Sequence, residues 1–182
     1  MKKFIATMSL ALSTSAFASG WASIDVDNVQ GREGAKDSVA QYLRIGKSFG
    51  DANMMVQGRT ARFDGGGMVN SVETTFGHKK VNLAGIAPFV GVGYDNGYNG
   101  GNNFSYGLVG ATYARPIGPA FAMLGVKTRV GSTQDGPRTK QTVSFATLSF
   151  PMTKDLSLNI NASRSDQDIK ETALGIGIGL RF

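Results

Sequence analysis

The last fourteen residues, 169–182, limit the fold more than any other stretch of the chain. From Thr172 onward every even position is Thr or apolar, while the odd positions carry Ala173, three glycines and Arg181. Alternation with a period of two is typical of a β-strand, in which successive side chains point to opposite faces. A sheet with a solvent-facing side usually has Thr, Lys or Glu where these glycines stand. We therefore expect the glycine face to look into a crowded interior.

The beginning of the chain has the features of a secretory signal peptide. A Lys-Lys pair at 2–3 precedes an apolar run over 4–12, and Ala-Phe-Ala at 16–18 forms a small-x-small cleavage site. The sequence predicts an exported protein, cleaved after Ala18, with a single domain over 19–182. No later stretch approaches the roughly 18 unbroken apolar residues that a membrane-spanning helix needs. If the mature chain is embedded in a membrane, strands must carry it across.

Composition excludes several kinds of chemistry. The chain has no cysteine and only 1 histidine, so disulfides, thiolate catalysis and metal sites built on Cys and His are not expected. No cofactor is predicted. The formal net charge of +6 is mild, and the chain lacks the Lys/Arg runs with interleaved aromatics that nucleic-acid binding requires. Glycine, at 25 of 182 residues, is about twice as frequent as the usual ~7%, which indicates many turns and close backbone approaches.

The mature chain divides into alternating segments separated by clusters of Gly, Asn, Asp, Pro and Ser. Most segments have the ~9–11 residues that a tilted transmembrane strand requires, and no window shows a helical period with caps. Aromatic residues gather near the segment ends, including Phe104 and Tyr106, as in the girdles at membrane–water interfaces. The predicted fold class is all-β: an antiparallel up-and-down transmembrane β-barrel of about ten strands, with eight strands as the alternative. The predicted strands are 21–30, 38–49, 53–63, 68–78, 83–95, 103–114, 119–131, 138–150, 155–166 and 169–182.

Two places interrupt the pattern. The sixth predicted strand changes its apolar parity midway, which predicts a β-bulge near Gly107 or Gly110. Pro88 lies inside the fifth predicted strand and removes a donor from the ladder. That strand is therefore expected either to contain a bulge or to begin later.

The charges that parity places on the inner face are nearly balanced in sign. An isolated charge in a narrow lumen costs several kcal/mol unless it is paired or hydrated. The balance indicates a salt-bridged, largely closed interior, whereas a set of one sign would favour a selective pore. Because inward glycines remove filling volume, a narrow water path stays open as an alternative. The predicted lumen-lining residues are Asp25, Asp27, Tyr42, Arg44, Arg59, Glu73, Lys127, Arg129 and Arg181, and Glu171 shares their parity.

Together with the signal peptide and the alternation, two motifs carry a family resemblance: Gly-Val-Gly-Tyr at 91–94 and the terminal Gly-Leu-Arg-Phe at 179–182. In these features the mature chain resembles the small bacterial outer-membrane β-barrel proteins of the OmpA/OmpX-like or porin-like type. The resemblance implies a Gram-negative outer membrane, with its lipid and lipopolysaccharide as partners. It also implies that Phe182 is an insertion signal read by the barrel-insertion machinery. A soluble lipocalin-like barrel, with the apolar parity inside, is the rival fold.

The function predicted from these features is a non-enzymatic outer-membrane barrel with a structural or surface-interaction role. The alternative is a narrow diffusion channel for small solutes, in which Arg44, Arg59, Lys127 and Arg129 give a mild preference for anions. His78 raises the third hypothesis, a lipid-modifying enzyme. A lone interfacial histidine beside two lysines is more often a rim residue than a catalytic one, so no enzyme is predicted. The oligomeric state is left open.

Overall fold

The structure is a computed structural model that describes residues 20–81, 84–97, 102–133, 138–167 and 170–182. The predicted signal peptide and its cleavage site lie outside the described residues. No described segment forms a helix that is long and apolar enough to cross a membrane. The described strands are β1 (Gly20–Gly31), β2 (Ser38–Phe49), β3 (Ala52–Phe63), β4 (Met68–His78), β5 (Ile86–Gly97), β6 (Asn102–Ile117), β7 (Ala120–Thr133), β8 (Arg138–Pro151), β9 (Leu156–Gln167) and β10 (Glu171–Arg181).

The strands form one closed antiparallel barrel in which each strand pairs with its neighbours along the chain and β1 pairs with β10. Gly20 and Phe182 add a last pair to this seam, with N–O distances of 2.7 and 3.0 Å. Closure removes the free sheet edge that an open sheet would present to other chains. The prediction of an all-β up-and-down barrel with ten strands is confirmed, and the alternative of eight strands is wrong.

The predicted strand limits differ from the observed ones by at most three residues. β5 begins at Ile86 because Ala84 and Gly85 take positive φ angles of 53° and 89°, which no extended strand contains. β6 runs on to Ile117, since its ladder with β7 continues until Gly118, at φ 56°, turns the chain.

The bulge predicted in the sixth strand is a wrong prediction. Within the described part of β6 the register with β7 is unbroken from Phe104 to Ile117. Phe104, Tyr106 and Leu108 all point into the barrel and are buried, whereas Val109 points outward. The parity change arises because both faces of this strand carry apolar residues, and a bulge is not needed to explain it.

β5 begins at Ile86, later than the predicted 83 but still before Pro88, and its register with β6 shows no bulge there. Pro88 therefore lies inside the strand, and neither expected explanation holds. It pairs with Ala111 of β6 in an unbroken register. It lies one residue beyond the end of the β4–β5 ladder, which stops at the pair Gly77–Phe89. Proline has no backbone N–H to donate, but at this position β5 has no partner in β4. No hydrogen bond of the β4–β5 ladder is therefore lost.

The two faces of the barrel wall differ in polarity. Outward side chains are apolar and well exposed, for example Ile24 at 59%, Val92 at 62% and Ile176 at 64%. Buried inward side chains include many that are polar or charged, such as Asp25 and Glu73. A lipocalin-like barrel would have the opposite arrangement. The wall is therefore built with its apolar side toward the surroundings.

The barrel has two distinguishable ends. We call the end at which Gly20 pairs with Phe182 the terminal end; it also holds the connecting residues 50–51, 79–81, 84–85, 118–119 and 152–155. The opposite end, with the other connections between strands, is the loop end. The inward residues between these ends form the candidate site.

Candidate functional site

Several large inward side chains lie along the barrel wall over a glycine of a neighbouring strand. Tyr106 covers Gly93, its cross-strand partner, and a Cβ on that glycine would lie 2.3 Å from the tyrosine Cζ. Phe145 covers its partner Gly125 at the same distance. No side chain fits under these rings, so packing requires glycine at both positions.

The same arrangement recurs around the barrel and explains why so many inward positions are glycine. Because the covering side chains lie flat against the wall, they leave part of the barrel axis unfilled. The further pairs are Trp21 over Gly46, Phe89 over Gly110, Asp25 over Gly177 and Asp27 over Gly175.

A layer of ion pairs crosses the middle of the lumen. The Glu73 carboxylate, 2% exposed, lies 2.5 Å from Lys127 Nζ and 2.7 Å from Arg129 Nη2. Asp25 lies 2.5 Å from Arg44 Nη1. Buried charges of this kind are tolerated because each has a close partner of opposite sign.

Amide side chains and a further ion pair belong to the same network. Asn161 Nδ2 donates to Asp25 Oδ1 at 2.8 Å. Gln57 accepts from Arg44 Nε at 2.8 Å, and Gln141 accepts from Arg129 Nη1 at 3.0 Å. Arg59 and Glu171 form a looser pair at 3.8 Å.

Apolar and aromatic groups fill the lumen between this layer and the loop end. Phe104 and Tyr106 stack with ring centroids 5.0 Å apart, and Arg129 lies 4.9 Å from the tyrosine ring centroid. The tyrosine hydroxyl reaches Glu73 at 3.3 Å and Asp95 at 3.4 Å. This group, Phe104, Tyr106 and Leu108, is called the aromatic plug below, and its members are at most 5% exposed.

A second apolar cluster lies beside the aromatic plug. It consists of Val29, Ala40, Ala61 and Ala173, with Tyr42 packed against it. The Tyr42 ring in turn lies between two guanidinium groups, at 4.6 Å from Arg44 and 5.8 Å from Arg59. Cation–π contacts of this kind are most favourable where water is excluded. These two clusters pack part of the loop half of the lumen.

The terminal half of the lumen contains a cavity of about 1030 Å³. Its lining includes turn residues of the terminal end, such as Lys79, Pro119 and Lys154. None of the described connecting residues of the loop end lines it. The cavity therefore opens at the terminal end. On the side of β1, β9 and β10 it extends past the ion-pair layer, where Val29, Ser165, Glu171 and Ala173 line it.

The structure brings most of the predicted lumen residues together. Those that line the cavity are Asp25, Asp27, Tyr42, Arg44, Arg59, Glu73, Lys127 and Arg129, with Arg181 at its mouth. Asp27 stands apart from the ion pairs, since its Oδ1 is buried without a hydrogen-bond partner. Phe182 is half-exposed and takes part in the closing seam instead of the lumen.

Sequence reasoning missed the aromatic plug. Phe104 and Tyr106 are predicted above as girdle residues, which is wrong because both are buried inside the barrel. Their parity is shared with Leu108 and shows that the three lie on one face, but Val109 and Tyr113 make the opposite face apolar as well. Asp95 was missed as well, although it continues the inward parity of Gly93.

His78 lies exposed at the end of β4, where its Nδ1 accepts a hydrogen bond from the Lys80 backbone N–H at 3.2 Å. Among the described residues no group of three or more His, Cys, Asp and Glu side chains is placed to hold a metal ion.

Among known proteins, only solved structures are found to be similar to this chain. No protein-family model matches the sequence, and no curated protein matches it. The beta domain of the Bordetella autotransporter BrkA is similar at a TM-score of 0.51, with 13% identity over 91% of this chain and 99% of that one. Neisserial surface protein A matches at a TM-score of 0.46, with 10% identity over 90% of this chain and 96% of that one. In its fold, the chain is a small β-barrel of the outer-membrane type.

Proposed function

We propose that this protein is an integral outer-membrane barrel with a structural or surface-interaction role, without catalytic activity and without a continuous pore. The observation that carries the membrane assignment is the polarity of the wall. A belt of exposed Val, Ile and Leu surrounds a lumen that holds the charges. In water such a surface would be a large aggregation-prone patch, whereas in a bilayer it is the required exterior.

Aromatic positions support the same assignment. The outward rings of Phe49, Phe76, Tyr113 and Phe182 are 38% to 52% exposed and all lie near the terminal end. Aromatic belts at this level mark a membrane–water interface. We propose that the terminal end faces the periplasm, the loop end faces outward, and lipid and lipopolysaccharide surround the wall.

A closed lumen is favoured over a channel by the packing of its loop half. Ions would have to displace the aromatic plug and cross the pairs that Glu73 makes with Lys127 and Arg129. Both obstacles consist of buried groups with specific partners. The cavity supports the alternative, a narrow channel, because only the loop half of the lumen would have to open for ions to pass.

Reconstitution tests both parts of the proposal. The folded mature chain is expected to migrate differently on a gel before and after heating, and to resist extraction from cell envelopes unless detergent is added. In a planar bilayer it is expected to give a flat current. Release without detergent would contradict the membrane assignment, and discrete current steps altered by Arg44→Ala and Arg59→Ala would establish the channel instead.

A further inference from the structure

The cavity of the terminal half has one apolar wall and one polar wall. Met55, Phe89, Met123, Val143 and Phe145 form the apolar wall on strands β3 to β8. Phe89 and Phe145 lie flat over glycines, so the wall is smooth and leaves room for a guest beside it. Ligand pockets of roughly 300–1,000 Å³ with a mainly apolar lining are typical of small-molecule sites, and this cavity has about 1030 Å³.

The polar wall has most of its hydrogen bonds satisfied within the protein. Thr147 donates to Asn161 at 2.9 Å, and Ser149 donates to Asn159 at 2.9 Å. Asn161 in turn donates to Asp25. A guest therefore does not need to supply many polar groups along its length, which favours an alkyl chain over a polyhydroxylated molecule.

Charge differs between the mouth and the inner end of the cavity. Lys79, Lys154 and Arg181 line the mouth, and Asp155 is the acid among them. Lys154 and Arg181 form no ion pair within the described part of the chain. At the inner end Arg44 and Lys127 are paired with acids, and the two buried atoms without a hydrogen-bond partner, Asp27 Oδ1 and Arg59 Nε, belong to groups of opposite charge. The unpaired cations at the mouth therefore favour an anionic group there.

We propose that this cavity binds a single-chain anionic amphiphile, of the fatty-acid type, that enters from the terminal end. The alkyl chain lies along the apolar wall, and the anionic head stays at the mouth beside Lys154 and Arg181. The inference rests on the proposed function in one respect, because it takes the terminal end to be the periplasmic one. The site itself depends only on the cavity and its charges.

A natural tryptophan can report binding at this site by its fluorescence. Trp21 is the only tryptophan, lines the mouth and is 38% exposed. The mature chain is refolded, transferred from detergent into an amphipathic polymer, and checked for heat-dependent gel migration. It is then titrated with decanoate brominated either beside the carboxylate or at the end of the chain. We expect saturable quenching of Trp21 fluorescence, stronger with bromine beside the carboxylate.

Variants separate binding from partitioning. Ala87→Phe narrows the cavity and is expected to abolish saturable quenching. Neutralising the mouth with Lys154→Gln/Arg181→Gln is expected to weaken binding about tenfold, as is replacing decanoate by decanol, because two exposed charge contacts are lost. The matched control, Lys36→Gln/Arg62→Gln, removes exposed cations that do not line the cavity and is expected to leave binding unchanged.

Each other outcome overturns the proposal. Linear quenching that Ala87→Phe does not change means partitioning into the polymer. Stronger quenching by chain-end bromine would contradict the proposed orientation, and equal binding of decanol would contradict the role of charge.

A displacement experiment identifies the head group. Displacement of the brominated ligand by unlabelled decanoate or by a decanoyl lysophosphatidic acid distinguishes a carboxylate from a phosphate head, and failure of both compounds to displace it contradicts the site. A folded barrel that binds nothing and carries no current leaves the proposed function intact.

Discussion

Glu73 is the residue on which the charged layer depends most, because among the described residues it is the carboxylate that pairs with both Lys127 and Arg129. Glu73→Gln leaves two mostly buried cations without their charged partner. We expect it to lower the free energy of unfolding by about 3 kcal/mol, the usual cost of removing one partner of a buried ion pair. Urea titration of the barrel in lipid vesicles measures this value.

The control for this prediction is Glu33→Gln at the loop end, where Glu33 pairs with Lys170 in an exposed position. Its expected cost is below about 1 kcal/mol. A loss for Glu73→Gln as small as that of the control would mean that water, and not Glu73, compensates the two cations.

The packing of the Phe145 ring on Gly125 leads to a second prediction about single residues. Gly125→Ala places a Cβ 2.3 Å from Cζ of Phe145, so the ring has to leave the wall. Overpacking of this kind costs about 1–3 kcal/mol. In a Phe145→Ala background the glycine substitution should cost much less, since the two residues share one contact. Vesicle-based urea titration of the four proteins of this cycle gives the coupling.

Gly107→Ala is the matched control for Gly125→Ala. Gly107 lies on the outward face of β6, and nothing lies within 4 Å of an added Cβ. Its substitution is expected to be close to neutral. Additive effects of Gly125→Ala and Phe145→Ala would show that the ring does not need its glycine.

Substitutions on the outward face of β10 test whether the outer wall faces lipid or water. Ile176 lies mid-strand and is 64% exposed. Ile176→Arg is expected to cost about 2–4 kcal/mol near the middle of a bilayer, while Thr172→Arg near the strand end costs about 0–1 kcal/mol. Stability in vesicles measures the difference. Equal and small costs at the two positions would indicate that the wall faces water.

Deleting the last residue of the closing pair between β1 and β10 allows its effect on stability to be measured separately from its effect on membrane insertion. Deleting Phe182 removes its two backbone hydrogen bonds with Gly20, a loss of about 1–3 kcal/mol in a purified barrel. If the terminal aromatic is also an insertion signal, the deletion should sharply reduce the folded fraction in cells while refolding into vesicles persists. Heat-dependent gel migration measures both. A parallel decline in cells and in vesicles would leave Phe182 only a structural role.

Strand positions were predictable because alternation and turn residues are local properties of the sequence. β6 shows where this reasoning ends: parity tells which residues share a face, but both faces of β6 are apolar, so the inner one is not identified. Contacts such as Asn161 with Asp25 depend on how distant strands are brought into register around the closed barrel. The single sequence contains no direct signal for that pairing. The plug and most of the ion pairs were therefore beyond sequence reasoning.

At the scale of the whole molecule, the lumen is divided along its axis. The aromatic plug and the cluster around Val29 pack part of the loop half, while a cavity lined on one side by apolar groups fills the terminal half and reaches Val29. The ion-pair layer lies between the two ends. Such a lumen has a packed barrier toward the loop end and an open cavity toward the terminal end, and we expect the barrier to be removable without loss of the barrel.

Removing the plug tests that division. Phe104→Ala/Tyr106→Ala deletes the two stacked rings, and the closed ladders of the wall remain to hold the barrel. We expect the folded variant to give small, discrete current steps in a planar bilayer, whereas the unchanged protein gives none. Phe49→Ala/Phe76→Ala, which removes two outward rings of similar size, is expected to stay silent. If the plug variant folds and its current is flat, the ion-pair layer alone closes the lumen, and Glu73 becomes the barrier to remove next.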